Sequence, residues 1–257
     1  MVIPRPTALP GRQTLARTIL ALVLVLAAGA SRAQLAEDRR IADHLAEMLR
    51  SARTVISDEQ PHINDPSAVN KGLDGRTVLR KTVTLFRHRT GLNPWTIDPA
   101  TREGRLLRAE MQSIVDVMNS NQTTINRDGV GFKGFIPAVF ARLVDEAFAK
   151  RAGREAAIKV TAPLDLVRNR RARPDALEAD VIASKFQSPD WKAGEPYFTT
   201  VQDNGRKVFR MMVPEYYKAS CLTCHGGPKG ELDITGYQKE GRREQDLSGV
   251  ISLTLRH

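Results

Sequence analysis

The chain has 257 residues, of which 41% are hydrophobic, and 39 Lys and Arg stand against 29 Asp and Glu for a formal charge of +10. That length and apolar content suit a globular chain with a sizeable core and exclude a disordered or fibrous one. The positive excess favours acidic partner proteins or an anionic membrane surface; with no Lys/Arg block and no nucleic-acid-binding motif, nucleic acid is not an expected partner.

The N-terminus has the pattern of an export signal. Arg5, Arg12 and Arg17 form a basic start without acids, Thr18 to Ala28 (TILALVLVLAA) is apolar, and Ser31-Arg32-Ala33 fits a small-residue cleavage site before Gln34. The apolar run is too short to span a bilayer comfortably. Residues 1–33 are therefore read as a cleaved signal that sends the protein to the periplasm, with an uncleaved N-terminal membrane anchor as the alternative. Cleavage would remove Arg5, Arg12, Arg17 and Arg32 and lower the formal charge from +10 to +6.

Residues 34–130 are expected to form a helical region. Leu35, Ile41, Leu45, Met48, Leu49, Ala52 and Ile56 follow helical spacing over Gln34 to Ile63, and Asn64-Asp65-Pro66 breaks it. A second amphipathic segment runs from Arg76 to Phe86, and Gly91 to Pro94 ends it. A third covers Glu103 to Ile125, with Leu106, Leu107, Met111, Ile114, Val115 and Met118 as its stripe. A fourth, Phe135 to Ala152, stops before Gly153. A weak echo links two of these helix ends: Ser51, Val55, Gln60, Ile63 and Asn64 recur as Ser113, Val117, Gln122, Ile125 and Asn126. Two copies do not make a solenoid, which needs three or more.

Residues 131–257 change character. Ala157 to Thr161 is strand-like, a loop carries Arg168-Asn169-Arg170-Arg171, and Pro174 is placed in the first turn of a helix through Phe186. Pro196 to Val201 and Arg206 to Val213 flank Asp203-Asn204-Gly205, a hairpin signal. Pro214 is expected to open a short helix carrying Tyr216 and Tyr217, and Gly249 to Leu255 alternates as a half-buried strand does. The fold class is α+β: a helical N-terminal layer with a small antiparallel sheet, and 34–257 as one compact unit.

The chain's only two cysteines lie in Cys221-Leu222-Thr223-Cys224-His225. Cys-x-x-Cys-His is the attachment signature of c-type haem. Residues three and four apart share a helical face, so both thiols can add to the vinyl groups of one porphyrin while His225 binds the iron from the proximal side. A Cys-x-x-Cys pair alone also serves as a redox dithiol or as half of a zinc site. Zinc would need two further ligands, for which no His pair has suitable spacing, and a thioredoxin-like dithiol belongs near an early strand of a βαβ unit. Export agrees with haem c, which is attached outside the cytoplasm.

From Phe135 onward the chain resembles the single-haem c-type proteins with a PAS-like fold, a domain-of-unknown-function family that includes a cyanobacterial photosystem-associated member. The shared motifs, in order, are Lys159-Val160-Thr161, Arg168-Asn169, Pro174-Asp175, the hairpin at Asn204-Gly205, Pro214-Glu215-Tyr216, Cys221 to Gly226, Gly236-Tyr237 and Asp246 to Ser252. The resemblance implies a PAS-like antiparallel sheet that carries one covalent haem c. Some members take a second axial ligand from a helical cysteine upstream of the Arg-Asn loop. Here Ile136 to Val144 has no Cys, and Phe140 falls nearest that position.

Cofactor-binding residues are therefore expected to be Cys221, Cys224 and His225, with His225 the proximal iron ligand. Arg168 and Arg170 are candidates to pair with haem propionates, where a guanidinium matches a carboxylate; Tyr216, with Tyr217, is a candidate to pack on the porphyrin edge. For the distal side, His44, His62, His88, His257, Met111, Met118, Met211 and Met212 are open, each with a surface or core role as its alternative. One of Met211 and Met212 should face inward, and Trp95 and Trp191 are expected to plug the core. The functional expectation is one-electron transfer or redox sensing with an acidic redox partner. The alternative is a sensor of diatomic gases with an open or weakly held distal site. A peroxidase would need a distal His or acid–base pair, which the sequence does not name.

Overall fold

The computed structural model describes the backbone from Arg12 to His257 and the side chains from residue 31 onward. The basic start and apolar run of the expected export signal lie outside the residues whose side chains are described. No described helix is long and apolar enough to cross a membrane. The chain divides into two compact units, Met1–Arg40 and Ile41–His257, and the second holds the hydrophobic core and the Cys-x-x-Cys-His motif.

The helices before the sheet are α1 (Arg12–Asp58), α2 (Gln60–Ile63), α3 (Gly75–Thr90), α4 (Arg102–Ser120), α5 (Gln122–Ile125) and α6 (Pro137–Ala152). Their boundaries repeat. The ends at Asp58 and Ser120, the short helices starting at Gln60 and Gln122, and the long ones starting at Gly75 and Pro137 are each 62 positions apart. Gly91 and Gly153 end α3 and α6 with φ of 71° and 60°, a conformation that favours glycine. Phe86 and Phe148 occupy the same place in the two copies and are both fully buried, each contributing about 2–3 kcal/mol by removal from water.

The echo in the sequence marks the contacts that lock these copies together. Gln60 Nε2 donates to Ile56 O (3.1 Å) and, across the layer, to Phe135 O (3.0 Å). Gln122 Nε2 donates to Met118 O (2.9 Å) and Leu73 O (3.0 Å). Asn64 Oδ1 accepts from Lys133 N (3.0 Å), and Asn126 Oδ1 accepts from Lys71 N (2.9 Å). Each helix end thus satisfies the backbone of the loop that leads into the other copy's long helix. Loop amides and carbonyls at such depth need partners, and one Gln and one Asn supply them in each half. The helical layer is a duplicated helix–turn–loop–helix whose halves grip one another.

The sheet consists of β1 (Ala156–Thr161), β2 (Tyr197–Asp203), β3 (Arg206–Tyr216) and β4 (Leu247–Arg256), antiparallel throughout in the order β1-β4-β3-β2. Asn204 (φ 50°) and Gly205 (φ 77°) make the tight turn between β2 and β3. One face, with Ile158, Phe209, Met211, Val213, Ile251, Leu253 and Leu255, packs into the helical core. On the other face Met212 and Val250 join Val181, Ile182 and Phe186 in a second, smaller core. That second core belongs to α7 (Ala176–Val181) and the π turn Ile182–Phe186.

Several expectations are corrected. Pro174 lies before the helix rather than in its first turn, because Asp175 caps α7: its side chain accepts from Glu178 N (2.9 Å) while Glu178 Oε2 accepts from Asp175 N (2.8 Å). Pro214 does not open a helix. It stays in β3, where β2 has already ended opposite Met212 and no ladder amide is required of it. Met211 and Met212 are both buried, since the sheet is covered on both faces. Trp95 is half exposed rather than a core plug, whereas Trp191 packs between Phe186 and Tyr197.

Candidate functional site

The chain leaves β3 at Tyr216 and is held at once by the segment that enters β4. Tyr217 N donates to Asp246 O and Gln245 N donates to Tyr217 O, both at 2.9 Å. A 3-10 turn, Ala219–Cys221, leads into the single turn α8 (Leu222–His225). This turn brings Cys221, Cys224 and His225 onto neighbouring positions of one face. Both thiols are unpaired and half-buried. Gly226 closes the turn, with its N–H donating to Leu222 O at 2.8 Å. A Cβ there would lie 2.6 Å from that carbonyl, so the tight exit requires glycine.

The imidazole of His225 is anchored on one side only. Its Nδ1 lies 2.8 Å from Glu240 Oε2 and 3.4 Å from Tyr217 Oη. The ring of Tyr217 leans on it with centroids 5.0 Å apart. A carboxylate can only accept, so Nδ1 is the donor to Glu240, and Nε2 is the ring nitrogen left for a ligand. Glu240 is itself held by Arg168, whose Nε and Nη2 reach its two oxygens at 2.9 and 3.1 Å. The same guanidinium donates to Asp233 Oδ2 (2.5 Å) and to the carbonyl of Cys224 (3.0 Å), and lies over the ring of Tyr237 at 5.2 Å.

Charge follows this geometry. Burial works to raise the Glu240 carboxyl, but hydrogen bonds from Arg168 and His225 prevail and hold it below its ordinary value. Burial likewise opposes ionisation of Asp233, and bonds from Thr235, Arg168 and two backbone amides keep it well below the carboxylate range. Tyr217 is pushed up to about 12 by burial and by the charge of Glu240. Burial and the nearby Asp233 also raise the Cys224 thiol. Among the described residues no three His, Cys, Asp or Glu side chains form a cluster suited to a metal ion.

The residues named from sequence separate into three groups. Cys221, Cys224, His225 and Arg168 come together. Arg168, however, spends its donors on Glu240, Asp233 and the Cys224 carbonyl, so it braces the motif rather than presenting a free fork to a propionate. Arg170 is exposed at the start of the turn Arg170–Ala172. Tyr216 is directed elsewhere, accepting from Gly194 N at 3.0 Å, and its neighbour Tyr217 meets His225 instead. The other histidines are tied to other places: His44 to Glu103 (2.5 Å), His62 to Lys71 O (3.0 Å), His257 to Arg102 (3.2 Å), while His88 is exposed on α3. Met111, Met118 and Met211 belong to the main core and Met212 to the small one. Phe140 is fully buried in edge contact with Phe135.

Sequence reasoning missed Glu240 and Asp233. They lie in an irregular loop where neither periodicity nor a motif singles out one acid among several. The donor set as a whole fits a c-type haem: two unpaired thiols on one turn, and an imidazole fixed at one nitrogen and available at the other.

No curated protein and no solved structure matches the chain. A family model does: the Tll0287-like model matches residues 32–256. That match takes in the helical layer as well as the sheet, beyond the Phe135 limit of the motif resemblance. The chain belongs to the Tll0287-like family.

Proposed function

We propose that this protein is an exported, periplasmic single-haem c-type protein that passes or senses one electron. The observation that carries the reading is the turn that holds Cys221, Cys224 and His225 together with Nδ1 of His225 pinned by Glu240. Cys221 and Cys224 hold the porphyrin through thioethers and His225 supplies Nε2 to the iron. The haem contributes the one-electron couple; the chain's part is to fix the ligand, limit water at the half-buried thiols and set the charge around them. The positive excess suits an acidic redox partner, with an anionic membrane surface as a second docking possibility. The α+β sheet is taken as PAS-like on the family resemblance, with 131–257 as the haem-bearing part and 34–130 as its helical cover.

The test is the optical spectrum of protein exported with an active c-type maturation system, together with a pyridine haemochrome assay. A c-type haemochrome supports the reading, and its loss in Cys221→Ala/Cys224→Ala places the attachment. Fully covalent haem in that double variant sinks the assignment.

A second reading, a sensor of diatomic gases, is favoured by one observation. By spacing, Phe140 falls nearest the position where some members of the resembling family carry a second axial ligand, and a phenylalanine cannot bind iron. The reduced protein should then bind carbon monoxide rapidly and stoichiometrically. Poor binding, with a sharp low-spin reduced α-band, decides for a six-coordinate electron carrier.

A further inference from the structure

The hydrogen bond between His225 and Glu240 joins residues 15 apart in the chain, and it is not an incidental surface contact. The Glu240 side chain is 16% exposed and that of His225 27%. Glu240 is clamped through both oxygens by Arg168, which in turn donates to the carbonyl of Cys224 inside the motif. The loop's backbone holds the same register, with Arg242 N donating to His225 O (2.8 Å) and Gly241 N to Gly226 O (3.1 Å). Glu240 therefore cannot swing away without giving up both of its bonds to Arg168, and His225 cannot turn its ring without losing Glu240.

We propose that Glu240 is the positioning residue of the proximal ligand, fixing the tautomer and ring angle of His225 and making its Nε2 a stronger donor to iron. The inference rests on the haem reading above. A full carboxylate next to Nδ1–H draws that proton further than a neutral carbonyl does, which leaves more electron density on the opposite nitrogen. A stronger proximal donor favours ferric over ferrous iron, so Glu240 holds the reduction potential down. Arg168 has the counter-role: by sharing Glu240 Oε2 it limits how far the proton is drawn, and it keeps the carboxylate aimed.

The experiment is spectroelectrochemical titration of the holoprotein, wild type against Glu240→Gln, with Asp233→Asn as control. Gln keeps the size and an acceptor oxygen but loses the charge. Asp233 is a second buried carboxylate of the same network, bonded to Arg168 and beside Cys224. The expected result is a higher midpoint potential in Glu240→Gln with haem loading unchanged, and a clearly smaller rise in Asp233→Asn. An unchanged potential in loaded Glu240→Gln overturns the proposal. Equal rises in the two variants also overturn it, because they show only a through-space charge effect. If Glu240→Gln fails to fold, Glu240→Asp, which shortens the reach by one methylene, should give a potential above wild type; a wild-type value there overturns the proposal too. Absence of covalent haem in the wild type is a separate failure, that of the haem reading itself.

Discussion

The two halves of the helical layer share one backbone plan but bury different chemistry at two equivalent positions. In the first half, Met48 on α1 and Val83 on α3 are buried, at 0% and 7% exposure. Sixty-two residues on, the same positions on α4 and α6 hold Glu110 and Asp145. Glu110 is fully buried and neither of its oxygens has a hydrogen bond; Asp145 leaves Oδ1 unpaired and accepts from Val160 N with Oδ2 at 3.2 Å. Burial, reinforced by the charge of Asp145, holds the Glu110 carboxyl well above its ordinary value, and burial pushes Asp145 up to about 7 against the pull of the Val160 amide and Arg53. The first half shows that apolar side chains meet the packing needs of this architecture. Asp145 has a structural reason to differ, since it caps an outward amide of edge strand β1 and closes that edge to further pairing. Nothing in the fold accounts for Glu110.

The largest expected effect comes from forcing the first half to resemble the second. Met48→Glu buries a carboxyl where no charge or edge amide awaits it, and a shift of about three pH units in its ionisation costs about 4 kcal/mol at pH 7. Urea unfolding at pH 7 measures it, and wild-type stability in Met48→Glu would show that the halves are not equivalently packed.

The wild type should also carry a pH signature of the second half. A carboxyl whose folded value is raised stabilises most below its unfolded value, and that contribution is lost as pH rises through the folded one. For Asp145 the window runs from about 4 to about 7, with a ceiling of about 4 kcal/mol; Glu110 acts in the same direction. Unfolding midpoints at pH 5 and pH 8 should show stability lost toward pH 8, and Asp145→Asn should flatten that loss. Glu110→Met, which copies the first half, should stabilise the protein at pH 8 by about 1–3 kcal/mol by removing an unpaired buried carboxyl. A destabilised Glu110→Met would mean that Glu110 has a partner which the packing does not reveal.

The same comparison shows what the sequence could and could not convey. Helices, strands and the Asn204-Gly205 turn were legible because apolar spacing and turn chemistry act locally. The motif at Cys221 was legible because its two cysteines and its histidine are near neighbours in the chain. The duplication surfaced only as five matches, since most positions of a helix specify its face and not its identity; the repeat survived where Gln60, Asn64, Gln122 and Asn126 must bond particular backbone atoms. Which of Tyr216 and Tyr217 meets His225 was not legible, because β3 ends at Tyr216 through its pairing with β4, some thirty residues further along the chain. Glu240 was illegible for a related reason: its partner is fifteen residues away across an irregular loop, and only the folded path brings them together.

The smallest expected effect tests the grip between the halves. Asn64→Ala frees the amide of Lys133 and Asn126→Ala frees that of Lys71. Losing one such bond, with a backbone donor left in a partly buried site, costs about 1–2 kcal/mol, and the two variants should agree within about 0.5 kcal/mol if the halves are equivalent. Their combination should cost more than the sum. The ammonium groups of Lys71 and Lys133 both donate to the carbonyl of Asp65, so each single variant leaves the other lysine's backbone and side chain in place to hold the junction. Removing both asparagines releases both loops from that shared carbonyl at once. A double-mutant cycle by urea unfolding reads the coupling; strict additivity would mean that each half holds the other's loop independently, and that the meeting of the two lysines at Asp65 transmits nothing between them.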